Sequence, residues 1–344
     1  MTEPTIAVEA FTALTPIPSP CAYPRLSAHH DPWVSAVKDG FRHRCFHISA
    51  TRQGEPVGHL TLVLIRGPIF GRFLVSLPYI NTGGVWSKDE ETAIRLVDRA
   101  CLLADQYDVR YMELRHEIPL DHPRINFERR DKVHMRLALP STDELLEKSF
   151  KAKLRSQIRK GSKNAVEIEF GGKELLDDFY SVFAVNMRDL GTPVFSPSLF
   201  RCILDSFAGD AEFCIARLGA RPIAGGLLVH HGGTTEIPSA SSLREFNHLS
   251  ANMLMYRKCL ARAIERGSVT FDFGRSSKDS GTYKFKEQWG AVASPAVWQY
   301  YVRKGSADAM RPEAEGNQRL IRLWKKMPVW LTRLAGPPIV RGIP

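Results

Sequence analysis

Apolar positions along the chain change period several times, and each change marks an element. DPWVSAVKDGF, from Asp31, predicts a short helix, and CFHISATRQGEPVGHLTLVLI predicts two strands around the turn Gln53-Gly54-Glu55. GRFLVSLPYINTGGVW is a strand closing in Gly83-Gly84. In KDEETAIRLVDRACLLADQY, Ile94, Val97, Ala100, Cys101 and Ala104 keep helical spacing. VRYMELRH and VHMRLALP are further strands. A helix follows that Ser141 or Thr142 would cap, with Glu144 or Glu147 in its first turns.

The same order then begins again. KELLDDFYSVFAVNMRDL and SPSLFRCILDSF are helices, AEFCIARLGARPIAGGLLVHH is a hairpin about Gly219-Ala220, and TTEIPSASS is a third strand. LSANMLMYRKCLARAIERG is a long helix leading into the strand SVTFDFG, and AVWQYYVR is a late strand. Helix, β-meander, long helix and strand thus recur, a repeat of topology that predicts two similar α/β domains. The expected divisions are a loose Pro- and Thr-rich arm over 1–28, a first domain over 29–148 and a basic linking helix over 149–165. A second domain over 166–305 and a basic, aromatic tail over 306–344 complete the chain.

A chain of 344 residues has room for two domains, and 44% hydrophobic with 24% charged residues is an ordinary globular balance. No stretch approaches the roughly 20 apolar residues of a membrane span, and the first residues lack the basic start and apolar core of a signal peptide. A cytoplasmic location is expected. The six cysteines are scattered without a C-x-x-C pair, and the histidines lack ligand spacing, so no metal is expected. His230-His231 are adjacent, and His116 and His122 have no partner at a familiar spacing. Phosphate-loop and dinucleotide fingerprints are missing, which disfavours nucleotide hydrolysis and nicotinamide chemistry. A net charge of +10 points to an anionic partner: nucleic acid, a phosphorylated substrate or an acidic membrane surface.

HHDPWVSAV, LVSLPYINTGGV, AKLRSQIRKGSKN, NMRDLGTPVF, SASSLREFN, FDFGRSSKDSGTYKFKEQWGA and LAGPPIVRGIP, in that order from about residue 29 to the C-terminus, resemble FemAB-type proteins of the GNAT acyltransferase superfamily. Within that group they are most similar to the FemAB-related proteins associated with PEP-CTERM/exosortase systems. The resemblance implies tandem GNAT-like domains, each a mixed, mostly antiparallel sheet flanked by helices, with the reaction centre in a cleft on or between them. It implies transfer of an acyl or aminoacyl group, forming an amide or ester bond on a cell-envelope, peptidoglycan or exopolysaccharide precursor. No tightly bound cofactor is implied, and the donor would be aminoacyl-tRNA or acyl-CoA. An acyl-CoA-dependent N-acetyltransferase of a small molecule or sugar, and a non-catalytic binding module of a secretion system, are the alternatives. The usual GNAT pyrophosphate loop is not visible before LSANMLMYRKC, where the chain reads REFNHLSANM, and Ser239 stands where a PWASS-like strand would carry an aromatic residue.

Amide formation from an ester or thioester needs an uncharged amine, a carbonyl at attack distance and donors aimed at the developing oxyanion. Arg275, Ser276, Ser277, Lys278, Thr282, Lys284 and Lys286 place such donors in one expected loop, with Gly274 and Gly281 to let backbone approach a ligand. By resemblance, Gly281, Tyr283, Phe285, Lys286, Trp289 and Gly290 meet the family pattern, and Lys286 neutralises charge at the reaction centre. Read otherwise, Tyr283, Phe285 and Trp289 are core anchors and Lys284 and Lys286 a solvated face. Asp272 is either a general base or the ion-pair partner of Arg275. Lys153, Arg155 and Arg159, with Lys151, Lys160 and Lys163, either dock phosphate or form an ordinary basic helix. Asn186, Arg188 and Asp189, before Gly191 and Pro193, either contact substrate or punctuate a helix end. In the first domain Glu113, Arg115 and Asn81 either line a pocket or mark polar strand ends. Trp324, Trp330 and Leu331, mixed with Arg322, Lys325, Lys326 and Arg333, fit a peripheral inner-membrane contact or packing within the protein. Transfer RNA is a candidate partner and DNA is not.

Overall fold

In a computed structural model of the chain, residues 2–68, 70–306 and 315–344 are described, without the side chains of 315–317. They form two compact units: 1–132 with 295–319 and 338–344, and 133–294 with 320–337.

The first unit opens with β1 (Thr5–Ala10), α1 (Asp31–Phe41), β2 (Arg44–Arg52), β3 (Glu55–Gly67), β4 (Gly71–Val75), β5 (Val85–Ser87), α2 (Glu90–Gln106), β6 (Tyr111–His116) and the first half of β7 (Phe127–Ala138). Strands β1 to β4 pair antiparallel in sequence order, and α2 then crosses back so that β6 lies parallel to β4. Asp89 caps α2 by accepting from Thr92 N at 2.8 Å. The buried stripe Ala93, Leu96, Val97, Ala100, Cys101 and Ala104 packs with Leu60, Leu62 and Leu74 of the sheet.

Within the expected arm over 1–28, the described residues 2–28 are not loose. β1 pairs with β2 from Thr5↔Thr51 to Ala10↔Phe46, and Phe11, Leu14, Ile17 and Tyr23 are buried. The apolar positions are too widely spaced among Pro and Thr to show a period, so only the pairing reveals them.

The second unit contains the rest of β7, α3 (Asp143–Ser149), α4 (Ala152–Lys163), β8 (Val166–Gly171), α5 (Leu176–Leu190), α6 (Pro197–Ser206), β9 (Ala211–Leu218), β10 (Arg221–His231), β11 (Thr234–Ser242), α7 (Ala251–Glu265), β12 (Thr270–Ser277) and α8 (Gly281–Glu287). β8 to β11 are antiparallel neighbours, and α7 crosses so that β12 runs parallel to β11 at Thr234–Glu236 against Thr270–Asp272. The order of strands, crossover helix and parallel strand therefore occurs twice, as the sequence repeat predicts. Cys259, Leu260, Met255 and Ala263 of α7 pack on Ala224 and Leu228 of β10 and on Phe271 of β12.

Two segments differ from their expected places. The late strand, β13 (Val292–Val302), pairs antiparallel with β6 from Val297↔His116 to Val302↔Tyr111, so the first unit's sheet is completed from near the far end of the chain. α4 is more than a link: Leu154 and Ile158 are buried in the same core as Leu254 and Met255 of α7. The chain ends in α9 (Glu315–Trp324) and α10 (Val329–Val340), separated by Pro328. Among the described residues no helix is long and apolar enough to cross a membrane.

Candidate active site

In the second unit, β12 pairs with β11 over Thr270–Asp272 and continues past that pairing to Ser277. Phe271 and Phe273 point into the core while Asp272 faces the other way, as strand alternation requires. Gly274 then takes φ 73°, a left-handed conformation that a side chain would disfavour, and its N–H donates to Asp272 Oδ1 at 2.6 Å. The second oxygen, Oδ2, accepts from Arg136 Nε of β7 at 2.9 Å. Arg136 is thus an ion-pair partner of Asp272. The two are 136 positions apart, a pairing only the sheet creates.

The glycine-rich stretch expected as an open loop is the helix α8. Ser280 caps it by accepting from Tyr283 N at 3.2 Å. The helix turns Lys286 inward, where only 9% of the residue is exposed, and Nζ donates to the carbonyls of Gly274 at 3.1 Å and Arg275 at 2.9 Å. Burial pulls this ammonium's pKa down to about 8, with Arg275 adding to the effect and Asp272 opposing it. Asp272, the left-handed Gly274 and Lys286 therefore form one connected group at the point where the strand leaves its neighbour. Ser276 lies on the same strand, buried, with no hydrogen-bond partner for its hydroxyl among the described residues. A buried hydroxyl left unmatched is destabilising unless something else supplies the partner.

The other sequence-predicted residues separate into groups. Thr282 and Lys284 are exposed on α8, Thr282 with its hydroxyl 2.9 Å from that of Ser280. Tyr283 packs half-buried against the core. Trp289 is 2% exposed and meets Phe150 edge-on at 5.5 Å, so its ring belongs to the core and not to a substrate surface. Asn186 donates to Ser241 Oγ at 3.1 Å, tying α5 to β11. Arg188 pairs with Asp189 at 2.6 Å and donates to the carbonyl of Met327 at 3.1 Å, which fixes the end of α5. On α4, Lys153 and Arg159 are exposed, and Arg155 donates to the carbonyl of Phe150 at 2.7 Å. Arg136 and Ser241 are absent from the sequence-based set. Their signal was only a polar residue alternating within a strand, which is common.

α4 lies against the start of α7. A side chain at Gly161 would stand 2.8 Å from Leu254 Cβ and 3.0 Å from the Ser250 carbonyl, and Asn164 donates to the Leu249 carbonyl at 3.2 Å. The exposed Lys160 and Lys163 flank these contacts. Residues Arg244–Leu249 before α7 form a tight 3-10 turn, with Phe246 N bonded to Leu243 O and Ser250 N to Asn247 O. These two N–H groups point into the turn and are not available to a pyrophosphate.

In the first unit, Arg115 and Glu113 form a buried pair at 2.7 Å, Arg115 donates to the Ile80 carbonyl at 2.6 Å and its guanidinium lies 4.1 Å from the Trp298 ring centre. Among the described residues no group of His, Cys, Asp or Glu is arranged to hold a metal ion. Glu212 is instead bound by His230 at 3.0 Å and by Arg262 at 2.8 Å, and despite burial these contacts hold its carboxyl down to about 2.

Residues 148–287 match the family model of the Acetyltransferase (GNAT) domain, a span containing α4, β12 and Lys286. No curated protein sequence matches the chain. Among solved structures the fold resembles FemX, with TM-score 0.60 and 18% identity over 86% of this chain and 94% of that one. It also resembles L-PGS from Bacillus licheniformis, with TM-score 0.53 and 13% identity over 85% of this chain and 91% of that one. A tandem GNAT protein from the clavulanic acid biosynthesis pathway is similar at TM-score 0.50 and 11% identity, over 83% and 92% of the two chains. At these identities the likeness is one of fold.

Proposed function

We propose that this chain is an acyltransferase of FemAB-like type, with a tandem GNAT-like fold, that moves an acyl or aminoacyl group from an activated ester or thioester to an amine or hydroxyl of a cell-envelope precursor. The observation that carries the reading is Lys286. A buried ammonium is held by two carbonyls of β12 just beyond its pairing with β11, inside the segment that matches a GNAT domain.

The chemistry follows from that placement. The acceptor's lone pair adds to the donor carbonyl, collapse of the tetrahedral oxyanion breaks the carbon–oxygen or carbon–sulfur bond, and the proton lost by the acceptor passes, directly or through water, to the leaving oxygen or sulfur. A fixed positive charge in a low-dielectric site stabilises the oxyanion or an anionic leaving group more strongly than water can. With a pKa of about 8, Lys286 carries that charge at neutral pH. Both oxygens of Asp272 are engaged by Gly274 and Arg136, so we assign it a positioning role and not that of a general base. The Ser276 hydroxyl, buried and unmatched among the described residues, is assigned a hydrogen bond to substrate. The basic α4, packed on the start of α7, is the assigned contact for donor phosphates.

Aminoacyl-tRNA is the preferred donor because the turn before α7 is closed on itself, which disfavours a coenzyme A pyrophosphate at that position. The acyl-CoA reading is favoured by the family match, whose name is that of an acetyltransferase domain. Incubation of the purified protein with a mixture of charged tRNAs and acyl-CoAs, read by thermal shift and by mass spectrometry of donor consumption, separates the two. Consumption of aminoacyl-tRNA that is lost in Lys286→Met supports the proposal, and consumption of acyl-CoA alone replaces the donor. Binding without turnover, once precursor amines are supplied, overturns catalysis in favour of a binding module.

A further inference from the structure

Leu320, Leu323, Trp330 and Leu334 are 64–71% exposed, four large apolar side chains within a fifteen-residue stretch of the second unit. Single exposed leucines need no explanation, but a cluster does. The spacing is regular: Leu320 and Leu323 lie three apart on α9, and Trp330 and Leu334 four apart on α10, so each pair shares a helix face.

The opposite faces are anchored to the second unit. Ile321 and the Lys325 stem pack over Gly191, whose φ of 81° turns the chain at the end of α5. Thr332 is buried, and a side chain at Gly336 would stand 2.8 Å from Val194 N. Arg188 holds the turn between the helices through the Met327 carbonyl at 3.1 Å. The apolar pairs are therefore presented outward by a fixed scaffold.

Charge decides what fits there. From Gln318 to the C-terminus there is no Asp or Glu, while Arg322, Lys325, Lys326 and Arg333 accompany the four apolar residues. All four cations are exposed, with Arg333 also 5.0 Å from the Tyr180 ring centre. A second copy of this surface would bring cation against cation across a two-fold contact. An anionic bilayer offers phosphates at the depth of the cations and hydrocarbon just below.

We propose that the outer face of α9 and α10 docks on an anionic lipid bilayer, with Leu320, Leu323, Trp330 and Leu334 entering the boundary between headgroups and acyl chains, and with Arg322 and Lys326 on the lipid phosphates. This inference stands apart from the acyl-transfer reading, since it uses none of the residues assigned to that chemistry.

The test is co-sedimentation of the full chain with sucrose-loaded phosphatidylcholine vesicles, with and without about one-third phosphatidylglycerol. The expected result is pelleting with the anionic vesicles alone, weakened by salt, and a blue shift of tryptophan emission that is diminished in Trp330→Phe. Leu320→Glu/Trp330→Glu should weaken binding by at least about tenfold, and Arg322→Glu/Lys326→Glu by about tenfold or more. Because these side chains are exposed, circular dichroism and melting temperature should match wild type. Absence of pelleting, equal pelleting with neutral vesicles, or binding unchanged in both double variants would overturn the proposal. Self-association in sedimentation velocity that Leu320→Glu/Trp330→Glu abolishes, without vesicle binding, would assign the face to a second copy instead.

Discussion

Lys286 combines two properties that elsewhere oppose each other: it is nearly out of water, and it carries charge at neutral pH. Replacing it by methionine, of similar length, removes a desolvated charge while leaving the Gly274 and Arg275 carbonyls without their donor. The expected outcome is a melting temperature near wild type with turnover reduced by about 10²- to 10³-fold, the usual effect of losing one oxyanion partner. If its ammonium is the working form, activity should fall as pH rises through about 8. Asp272 opposes the lowering of that pKa, so Asp272→Asn should shift the alkaline limb of the pH–rate profile to lower pH. A limb that stays in place in Asp272→Asn would remove Asp272 from its positioning role. At this scale the sequence singled out Lys286, Asp272 and Ser276, and the fold links Lys286 and Asp272 through Gly274. The sequence could not name Arg136 as a partner of Asp272, because nothing local distinguishes Arg136 from the other polar residues of its strand.

At the scale of elements, α4 separates charge from packing on opposite sides of one helix. Leu154 is 2% exposed in the core beneath α7, so Leu154→Ala should cost about 2–5 kcal/mol in urea unfolding. Lys153, one position earlier, is exposed, and Lys153→Ala should stay within about 0.5 kcal/mol while weakening any binding to phosphate-rich ligands. Equal, small effects on stability at both positions would mean that α4 is a mere link. α8 carries a different lesson. Its Ser280 cap and helical turn were hidden in a run of glycines, hydroxyls and lysines that reads as a loop. A short helix with one buried face has too few apolar positions to declare a period.

For the molecule as a whole, the histidines buried in the first unit give the fold a response to acid. His29 and His116, buried in the first unit, are held down to about 4 by burial, His29 also by the nearby His59, His116 and Arg25. His43 and His47 are likewise lowered to about 4 by burial. His116 Nε2 accepts from Val85 N at 3.1 Å and its Nδ1 lies 2.9 Å from Gln299 Oε1, a pattern that needs a neutral ring with its proton on Nδ1. The unfolded chain would bind these protons near pH 6.5 and the folded chain only near 4. Stability is therefore full above about 6.5 and falls as pH drops toward 4, by up to about 2 kcal/mol per ring at pH 5. Hydrogen exchange at pH 5 and 7, compared at equal intrinsic rates, should show protection lost in β3, β6 and β13. Uniform protection at both pH values would contradict these depressed values.

Periodicity alone carried the repeated order of strands, long helix and strand, because α2 and α7 each lay a continuous apolar stripe on a sheet and that stripe is written locally. The same local signal placed the Asp272 alternation and the hairpin turns. Long-range pairing decided the rest. β1 and β13 join the first unit from the two ends of the chain, Arg136 meets Asp272 from another strand, and Lys286 becomes buried only when α8 folds beneath Gly274. A sequence states which side chains an element offers to each of its faces. Which distant backbone or charge meets that face, and how much water remains there, is set by the packed structure, and those two quantities fix whether a lysine is a solvated cation or a buried one.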